Sequence, residues 1–390
     1  MSVFLTIVLD GVGIGAQPDA DLYGDEGSHT LAHVCAVAKP QLPNLARMGL
    51  GNIEALDGVA AVTVPQASYG KMLEVSAGKD STTGHWELAG ITLESPFPTF
   101  PDGFPITLID QFLKASGYNE VLGNVAASGT AIIDAFGPAH EASGQPIVYT
   151  SADSVFQVAA HKDVIPLSEL YRICDLARTQ ICVGPYGVGR VIARPFVGTA
   201  GAYQRVSAER KDYAILPEQA PLQLMLQEQG IRTVSIGKVA DLFGGLGFDE
   251  RYKTKSNAEG IQRTREILQA TAPDTSTFIW VNLVDFDQEY GHRNNPDGFA
   301  RALEEFDTAL PDIVAALPGE ESRLFITADH GNVPTTPGTD HSREYVPALL
   351  YAPGATGVDM GTRATFADHA ATVAAHFNVN FPRAGTTMLP

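Results

Sequence analysis

Short, continuous runs of apolar residues recur along the chain and predict buried β-strands. The five runs, rich in branched and aromatic side chains, are Val3–Leu9, Thr233–Ile236, Phe278–Val284, Leu324–Thr327 and Ala348–Ala352. Helical patterns lie on either side of the third run, at Glu259–Ala270 and Pro296–Leu317. Because uninterrupted apolar strands need cover on both faces, the alternation predicts an α/β fold, a mostly parallel sheet with helices on both faces.

A region of different character interrupts this alternation. It begins with the proline-rich stretch Glu94–Pro105 and ends near Lys211–Pro221. Proline and glycine often mark the limits of structural elements. We therefore expect residues 96–217 to form a smaller α/β domain, inserted into a core that comprises residues 1–95 and 218–390. Two domains also suit a chain of 390 residues.

Composition excludes several classes of partner. The 26 Lys and Arg residues against 45 Asp and Glu residues give a net charge of −19. A broad surface of such an acidic protein is not expected to bind nucleic acid or an anionic membrane. A phosphate ligand would need a local cluster of cations or metal. No apolar stretch approaches the roughly 18 residues of a membrane span, and residues 1–10 do not have the pattern of a secretory signal. Three cysteines are not a disulfide framework, so we expect a reducing, cytoplasmic location.

Carboxylate and imidazole side chains follow three of the predicted strands. The candidates that we consider for metal binding are Asp10, Asp287, His292, Asp329, His330 and His341. Because the carboxyl ends of parallel strands meet at one edge of a sheet, these side chains should gather there. Six ligands are too many for one tetrahedral ion and suit two cations about 3.5–4 Å apart. Mixed oxygen and nitrogen ligands favour Mn²⁺ or Zn²⁺.

Other interpretations of these residues stay open at this point. A single Asp or His at the end of a strand is more often a helix cap or a structural residue. Asp285 competes with Asp287, because strand alternation places both on the same side. An Asp–His pair can also arise by chance, and Asp368–His369 is such a pair inside a helical pattern.

The segment Ser76–Glu87, SAGKDSTTGHWE, offers a candidate nucleophile. It contains three adjacent hydroxyl side chains, Ser81, Thr82 and Thr83. A hydroxyl bound to two cations loses its proton more readily, and a helix N-terminus favours phosphate. A simple Ser or Thr helix cap is the alternative.

Glycines at positions 11, 13 and 15 loosely fit a dinucleotide-binding motif. That motif needs a helix directly afterwards, whereas the continuation QPDADLYGDEG is rich in Pro, Asp and Gly. We expect these glycines to let the backbone turn tightly beside Asp10.

Cationic and polar side chains suggest contacts to a sugar phosphate. The candidates are Ser151, Asp153, Arg190, Arg194, Arg205 and Lys238. The three arginines have no acidic residue between them, and arginine binds phosphate through two parallel hydrogen bonds. Ser151 and Asp153 could contact sugar hydroxyls. Solvated arginines and a turn capped by Asp are the alternatives.

Seven motifs spread over nearly the whole chain support a more specific assignment. They are LDGVGIGAQPDA, GKDSTTGHWELAG, YTSADSVFQVAAH, VGRVIARPFVG, NLVDFDQEYGHR, ITADHGN and PGTDHSREYVP. Together they resemble the bacterial phosphopentomutases of the alkaline phosphatase superfamily. The resemblance implies a metal-binding α/β core with an inserted cap domain and two Mn²⁺ ions. It also implies interconversion of ribose 1-phosphate and ribose 5-phosphate, and of the 2-deoxyribose equivalents.

The resemblance also implies roles for individual residues. One ion would be held by Asp10, Asp329 and His330, and the other by Asp287, His292 and His341, which favours Asp287 over Asp285. The phosphorylated nucleophile of the family is commonly threonine, and the matching residue here is Ser81, with Thr82 as the alternative. By position, Asp153, Arg190 and Arg205 match contacts to substrate, and Arg194 and Lys238 are added to them.

The resulting hypothesis is a phosphoserine enzyme that acts through a sugar bisphosphate. A sugar 1,6-bisphosphate or ribose 1,5-bisphosphate would prime it, and closure of the cap would exclude water. The expected partners are small pentose phosphates, without nucleic acid, membrane or an obligate protein partner. The alternatives are a metal-dependent phosphatase or phosphodiesterase, a phosphoglycerate mutase, and a binding protein without catalysis.

Overall fold

A computed structural model describes residues 2–151, 154–272 and 275–389 and divides the chain into two compact units. The first unit, here called the core unit, comprises Met1–Ser95 and Pro217–Pro390. The second, the inserted unit, comprises Pro96–Leu216.

The described strands are β1 (Val3–Leu9), β2 (Ala67–Met72), β3 (Leu122–Ala126), β4 (Ile147–Thr150), β5 (Val155–His161), β6 (Arg190–Val197), β7 (Gln204–Arg205), β8 (Lys211–Ala214), β9 (Arg232–Ile236), β10 (Glu250–Tyr252), β11 (Thr277–Leu283), β12 (Arg323–Thr327), β13 (Val346–Tyr351) and β14 (Asp359–Arg363). The described α-helices are α1 (Thr30–Ala38), α2 (Pro43–Met48), α3 (Leu50–Ile53), α4 (Ser81–Leu88), α5 (Ile106–Ser116), α6 (Gly129–Ser143), α7 (Leu167–Leu176), α8 (Leu222–Glu228), α9 (Val239–Leu242), α10 (Asn257–Ala270), α11 (Pro296–Ala315) and α12 (Ala367–His376).

The core unit is built on an eight-stranded sheet with the order β10-β9-β11-β1-β12-β13-β2-β14. Strands β10, β9, β11, β1 and β12 are parallel. All seven residues of β1 and of β11 are buried, as their apolar runs predict. The predicted α/β class with a mostly parallel sheet is confirmed.

Strand β13 departs from the parallel arrangement, because it runs antiparallel to both β12 and β2. A parallel return needs a crossover, usually a helix, whereas residues 328–345 between β12 and β13 form no helix. The predicted sheet was only mostly parallel, and β13, near the predicted run Ala348–Ala352, is an antiparallel member of it. The connecting segment instead carries His330 and His341 along the edge of the sheet.

The inserted unit has its own sheet, with the order β3-β4-β5-β6-β7 and with β8 paired to β6. One face packs against α5 and α7 through side chains such as Phe112, Phe156 and Ile173. The other face packs against α6 through Ile132, Ile133 and their neighbours. The unit thus has a hydrophobic core on each side of its sheet.

Among the described residues, no helix has the length and hydrophobicity needed to cross a bilayer. The three cysteines, Cys35, Cys174 and Cys182, are buried and form no disulfide.

Candidate metal centre and nucleophile

The six metal-ligand candidates converge because their strands are neighbours. Strand β1 lies between β11 and β12, with Val8 level with both Asn282 and Thr327. The chain therefore leaves all three strands at the same edge of the sheet. Asp10 directly follows β1, and Asp329 lies two residues beyond β12.

The first group of candidate ligands, called the inner group, consists of Asp10, Asp329 and His330. Their ligand atoms lie within 4.8 Å of one another, and all three side chains are buried. His330 Nε2 lies 3.4 Å from Asp10 Oδ1 and 3.4 Å from Asp329 Oδ2. One ion could therefore be reached by two carboxylates and an imidazole.

The second group, called the outer group, consists of Asp287, His292 and His341. Asp287 Oδ2 lies 3.2 Å from His292 Nε2, and Asp287 Oδ1 lies 3.3 Å from His341 Nε2. Asp287 is buried, but the two histidines are partly exposed. The ring centroids of His330 and His341 lie 3.9 Å apart, so the two groups adjoin.

The electrostatics of the two groups are dominated by their carboxylates. Burial, reinforced by Asp329, raises the pKa of Asp10. Burial would lower the pKa of His330, but Asp329 and Asp10 raise it to about 10. Burial would raise the pKa of Asp287, but His341 and His292 hold it below its usual range. Such concentrated negative charge is compatible with bound cations.

The hydrogen bonding of the ligand candidates fits metal binding. Among the described residues, the buried atoms without a hydrogen-bond partner include Asp329 Oδ2 and His341 Nε2. His292 Nδ1 donates to the carbonyl of Thr339 at 2.5 Å, and His330 Nδ1 donates to the carbonyl of Gly331 at 3.1 Å. With Nδ1 held in this way, each ring would present its Nε2 lone pair to an ion that replaces the Nε2 proton.

Ser81 and Lys238 lie directly beside the inner group. Ser81 begins α4, and Asp80 caps this helix by accepting hydrogen bonds from the amides of Thr82 and Thr83. Ser81 Oγ lies 3.1 Å from His330 Nε2 and accepts a hydrogen bond of 2.7 Å from Lys238 Nζ. The same Nζ lies 2.5 Å from Asp10 Oδ2. The capping function at this helix therefore belongs to Asp80, which leaves the Ser81 hydroxyl directed at the ligands.

Asp285 and Asp287 both lie beyond the end of the strand and face different partners. Strand β11 ends at Leu283, and Phe286–Gly291 forms a turn of π-helix, so strand alternation does not apply to either residue. Asp285 exchanges hydrogen bonds of 2.7 and 2.9 Å with Asn257 at the start of α10. Asp287 alone reaches the two histidines.

The glycines after β1 permit a tight turn. Gly11 adopts φ +75°, a conformation that side chains disfavour. A larger residue would not fit at Gly13, because its Cβ atom would lie 2.3 Å from Glu344 Oε2. The segment continues as turns with a short 3₁₀ helix at Ala20–Tyr23 rather than as a long helix.

Several buried residues that support the site were missed by the sequence analysis. Arg343 is 2% exposed and donates to the carbonyls of Glu74, Ser76 and Gly78 in the segment that precedes Ser81. His85 Nδ1 donates to the carbonyl of Ser81 at 2.9 Å. Asp329 Oδ2 lies 3.2 Å from the same nitrogen but without the alignment of a hydrogen bond. Both residues, Arg343 and His85, lie inside motifs that carry the family resemblance, and only this position in the sequence could have pointed to them.

The candidates for contacts to a sugar phosphate, other than Lys238, belong to the inserted unit. One of them, Asp153, lies outside the described residues. Ser151 follows β4, and Arg190 begins β6 with its guanidinium 3.6 Å from Asp212. Arg194 donates to Gln157 Oε1 at 2.8 Å. Arg205 is exposed and lines a cavity of about 300 Å³ together with Thr130 and Ser207.

Comparison with known proteins places the chain in a family. The sequence profile of the Metalloenzyme superfamily matches residues 2–381. A phosphopentomutase of Caldanaerobacter subterraneus subsp. tengcongensis is 51% identical over 386 residues, which cover 99% of this chain and 96% of the relative. A phosphopentomutase of Thermotoga maritima is 52% identical over 376 residues, with 96% and 95% covered.

The fold has a counterpart among solved structures. A protein of Pyrococcus horikoshii superposes with a TM-score of 0.51 at 15% identity, covering 98% of this chain and 99% of the other. The superfamily match and the two ligand groups together support the binding of divalent metal ions. The extent and level of identity show that the chain belongs to the phosphopentomutases of the metalloenzyme superfamily.

Proposed function

We propose that the protein is a phosphopentomutase that interconverts ribose 1-phosphate and ribose 5-phosphate, and the 2-deoxyribose equivalents. The observation that carries this proposal is identity of about half the residues over nearly the whole length of curated phosphopentomutases. The Ser81 hydroxyl beside His330 is compatible with it, since this chemistry needs a group that accepts and returns a phosphoryl group.

We assign the inner group to one Mn²⁺ ion and the outer group to a second. The mixed carboxylate and imidazole donors suit Mn²⁺ and also admit Zn²⁺. When bound, the ions would neutralise charge on the phosphoryl oxygens and favour the deprotonated form of the Ser81 hydroxyl. Three carboxylates against two divalent ions leave about one positive charge for an anionic phosphoryl group.

Ser81 is the proposed carrier of the phosphoryl group. Phospho-Ser81 transfers its phosphoryl group to the free hydroxyl of a pentose monophosphate, and a bisphosphate forms. The other phosphoryl group then returns to Ser81, and the isomeric monophosphate leaves. The contacts of Ser81 Oγ with His330 and Lys238 support Ser81 over Thr82, whose amide serves the helix cap. Lys238 would lend positive charge to the transferring oxygens.

The inserted unit is the proposed binding domain for the sugar and the non-reacting phosphate. We assign these contacts to Ser151, Asp153, Arg190, Arg194 and Arg205. The exposed guanidinium of Arg205 beside a cavity supports a role in binding anions. A sugar 1,6-bisphosphate or ribose 1,5-bisphosphate would prime the enzyme, and unpaired cysteines suit a cytoplasmic location.

The nucleophile is tested by intact-mass analysis and peptide mapping, with and without a sugar bisphosphate. We expect the wild-type protein to gain one phosphoryl group on Ser81. Ser81→Ala should lose both the phosphoryl group and the mutase activity, whereas Thr82→Ala, the matched control, should keep both. Normal turnover by Ser81→Ala would refute the assignment.

The rival activities are separated by product analysis. A phosphatase or phosphodiesterase on the same core would release inorganic phosphate, whereas a mutase forms the isomeric monophosphate. A parallel assay with a phosphoglycerate decides against the phosphoglycerate mutase, which the relatives do not favour. Net phosphate release without isomer formation would overturn the proposed function.

The role of Arg205 is tested by its substitution with alanine. We expect KM for ribose 5-phosphate to rise about tenfold or more, with Mn²⁺ binding unchanged, because only a substrate contact is removed. Arg172→Ala is the matched control, since this arginine of the same unit pairs with Glu169. An unchanged KM in Arg205→Ala would remove Arg205 from the substrate site.

A further inference from the structure

Asn332 occupies a central position among the segments that carry the ligand candidates. Its side chain is 1% exposed. A Cβ atom added at Gly291 would lie 2.5 Å from Asn332 Cγ, and one added at Gly11 would lie 3.0 Å from Asn332 Cβ. Gly291 directly precedes His292, and Gly11 directly follows Asp10. Asn332 is therefore packed tightly between a segment of the outer group and a segment of the inner group.

The amide of Asn332 contacts one ligand candidate directly. Asn332 Nδ2 donates a hydrogen bond of 2.7 Å to Asp287 Oδ1, and this bond is buried. Rotation of a carboxylate about its Cβ–Cγ bond changes which oxygen it presents to an ion. The hydrogen bond from Asn332 restrains this rotation in Asp287. Asp287 Oδ2 then stays directed at His292 Nε2.

Asn332 is itself held by a buried polar relay. Its backbone amide donates to Thr30 Oγ1 at 3.1 Å, and Thr30 Oγ1 donates to Glu344 Oε1 at 2.8 Å. Glu344 also accepts hydrogen bonds from Ser342 Oγ and from the amides of Thr30 and Gly15. Because the Glu344 carboxylate has four donors and is buried, it provides a rigid anchor for the relay.

We propose that Asn332 is a positioning residue that orients the Asp287 carboxylate for the outer metal ion, and that Thr30 and Glu344 hold Asn332 in place. This inference rests on the proposed dimetal function of the site. The inner group has no contact to the Asn332 amide among those that the described residues show, so the effect of Asn332 is confined to one of the two ions.

The inference is tested by calorimetric titration of metal-stripped protein with Mn²⁺. Asn332→Leu keeps the shape of the side chain but removes the donor. We expect one of two binding steps to weaken about 10–100-fold, the usual cost of losing a partner of a metal ligand, and the other to stay within about twofold. Asn44→Leu is the matched control, because Asn44 Nδ2 donates to the remote Asp307 Oδ2 at 3.0 Å. Its titration should equal that of the wild type.

Each outcome discriminates. Two unchanged steps in folded Asn332→Leu, or equal weakening of both steps, would overturn the proposal. If Asn332→Leu does not fold, Thr30→Val takes its place, and we expect a smaller loss of Mn²⁺ affinity at one of the two binding steps. Unchanged Mn²⁺ affinity in Thr30→Val would contradict the proposal that Thr30 holds Asn332 in place. Fewer than two Mn²⁺ ions in the wild type would instead contradict the proposed dimetal function.

Discussion

Two of the three Asp–His pairs in this chain, Asp329–His330 and Asp368–His369, have opposite properties. Asp329–His330 follows β12, and Asp368–His369 lies in α12. Both histidines are buried. Burial lowers the pKa of His369 to about 4, whereas Asp329 and Asp10 overcome burial and raise the pKa of His330 to about 10.

The difference comes from where each neighbouring carboxylate points. Consecutive residues on a helix face different directions, and Asp368 pairs with Arg363 at 2.7 Å instead of with His369. His369 is surrounded by the rings of Phe4, Phe278, Trp280 and Phe325. At the end of β12 the chain is not helical, and Asp329 and Asp10 both reach the His330 ring. An Asp–His pair therefore indicates a metal site only where the backbone lets its side chains converge.

Substitution of the two histidines should separate activity from stability. We expect His330→Asn to lower mutase activity by more than about 100-fold, since even partners of metal ligands contribute about 10–100-fold. The measurement is kcat/KM with excess Mn²⁺, together with the metal content of the purified variant. Activity and metal content like those of the wild type would remove His330 from the centre.

Metal removal should act through the two ligand groups and not through Asp368–His369. Chelation should abolish activity, and Mn²⁺ should restore it. At 100 times its dissociation constant, a bound ion stabilises the fold by about 2.7 kcal/mol, so thermal unfolding should shift on chelation. The shift should be smaller in His330→Asn than in wild type. Full activity in excess chelator would count against metal dependence.

His369→Phe should affect stability without affecting chemistry. His369 donates to the carbonyl of Leu88 and contacts Thr6 Oγ1, each at 2.8 Å, so the variant leaves two buried groups without a partner. We expect the free energy of unfolding to fall by about 1–3 kcal/mol, with kcat/KM within about twofold of wild type. Urea unfolding and the mutase assay measure the two quantities. A large loss of activity at full stability would contradict the structural role.

The two histidines should also act on opposite sides of the pH–stability profile of metal-free protein. The pKa of His369 is lowered from 6.5 to about 4, so its contribution is present above pH 6.5 and is lost as the pH falls towards 4. The pKa of His330 is raised from 6.5 to about 10, so its contribution is present below pH 6.5 and is lost as the pH rises towards 10. Each contributes a slope of up to about 1.4 kcal/mol per pH unit.

Urea unfolding across this pH range checks the assignment. His369→Phe should flatten the acid side of the profile. Some slope should remain there, because burial also lowers the pKa of His376 to about 4. His330→Asn should flatten the alkaline side, whereas His369→Phe should leave that side unchanged. If His330→Asn left the alkaline slope as in the wild type, the contrast between the two pairs would be wrong.

The central strands could be predicted from local pattern alone. The runs predicted for β1, β9, β11 and β12 agree with the observed strands to within one residue, because a strand buried on both faces is apolar at most positions. Strand β2, with the sequence ASYGKM, and the exposed β14 were missed, since each mixes polar and apolar residues.

The sequence by itself determined the central strands, the class of the fold and the placement of acidic and histidine residues just after strands, because these depend on local composition and periodicity. Tertiary structure alone decided that β13 runs antiparallel and that Asp285 hydrogen-bonds with Asn257 while Asp287 faces the histidines. It alone brought Asn332 and Thr30 together across 302 positions. Such choices depend on contacts between distant residues, and no local pattern encodes which distant residues will meet.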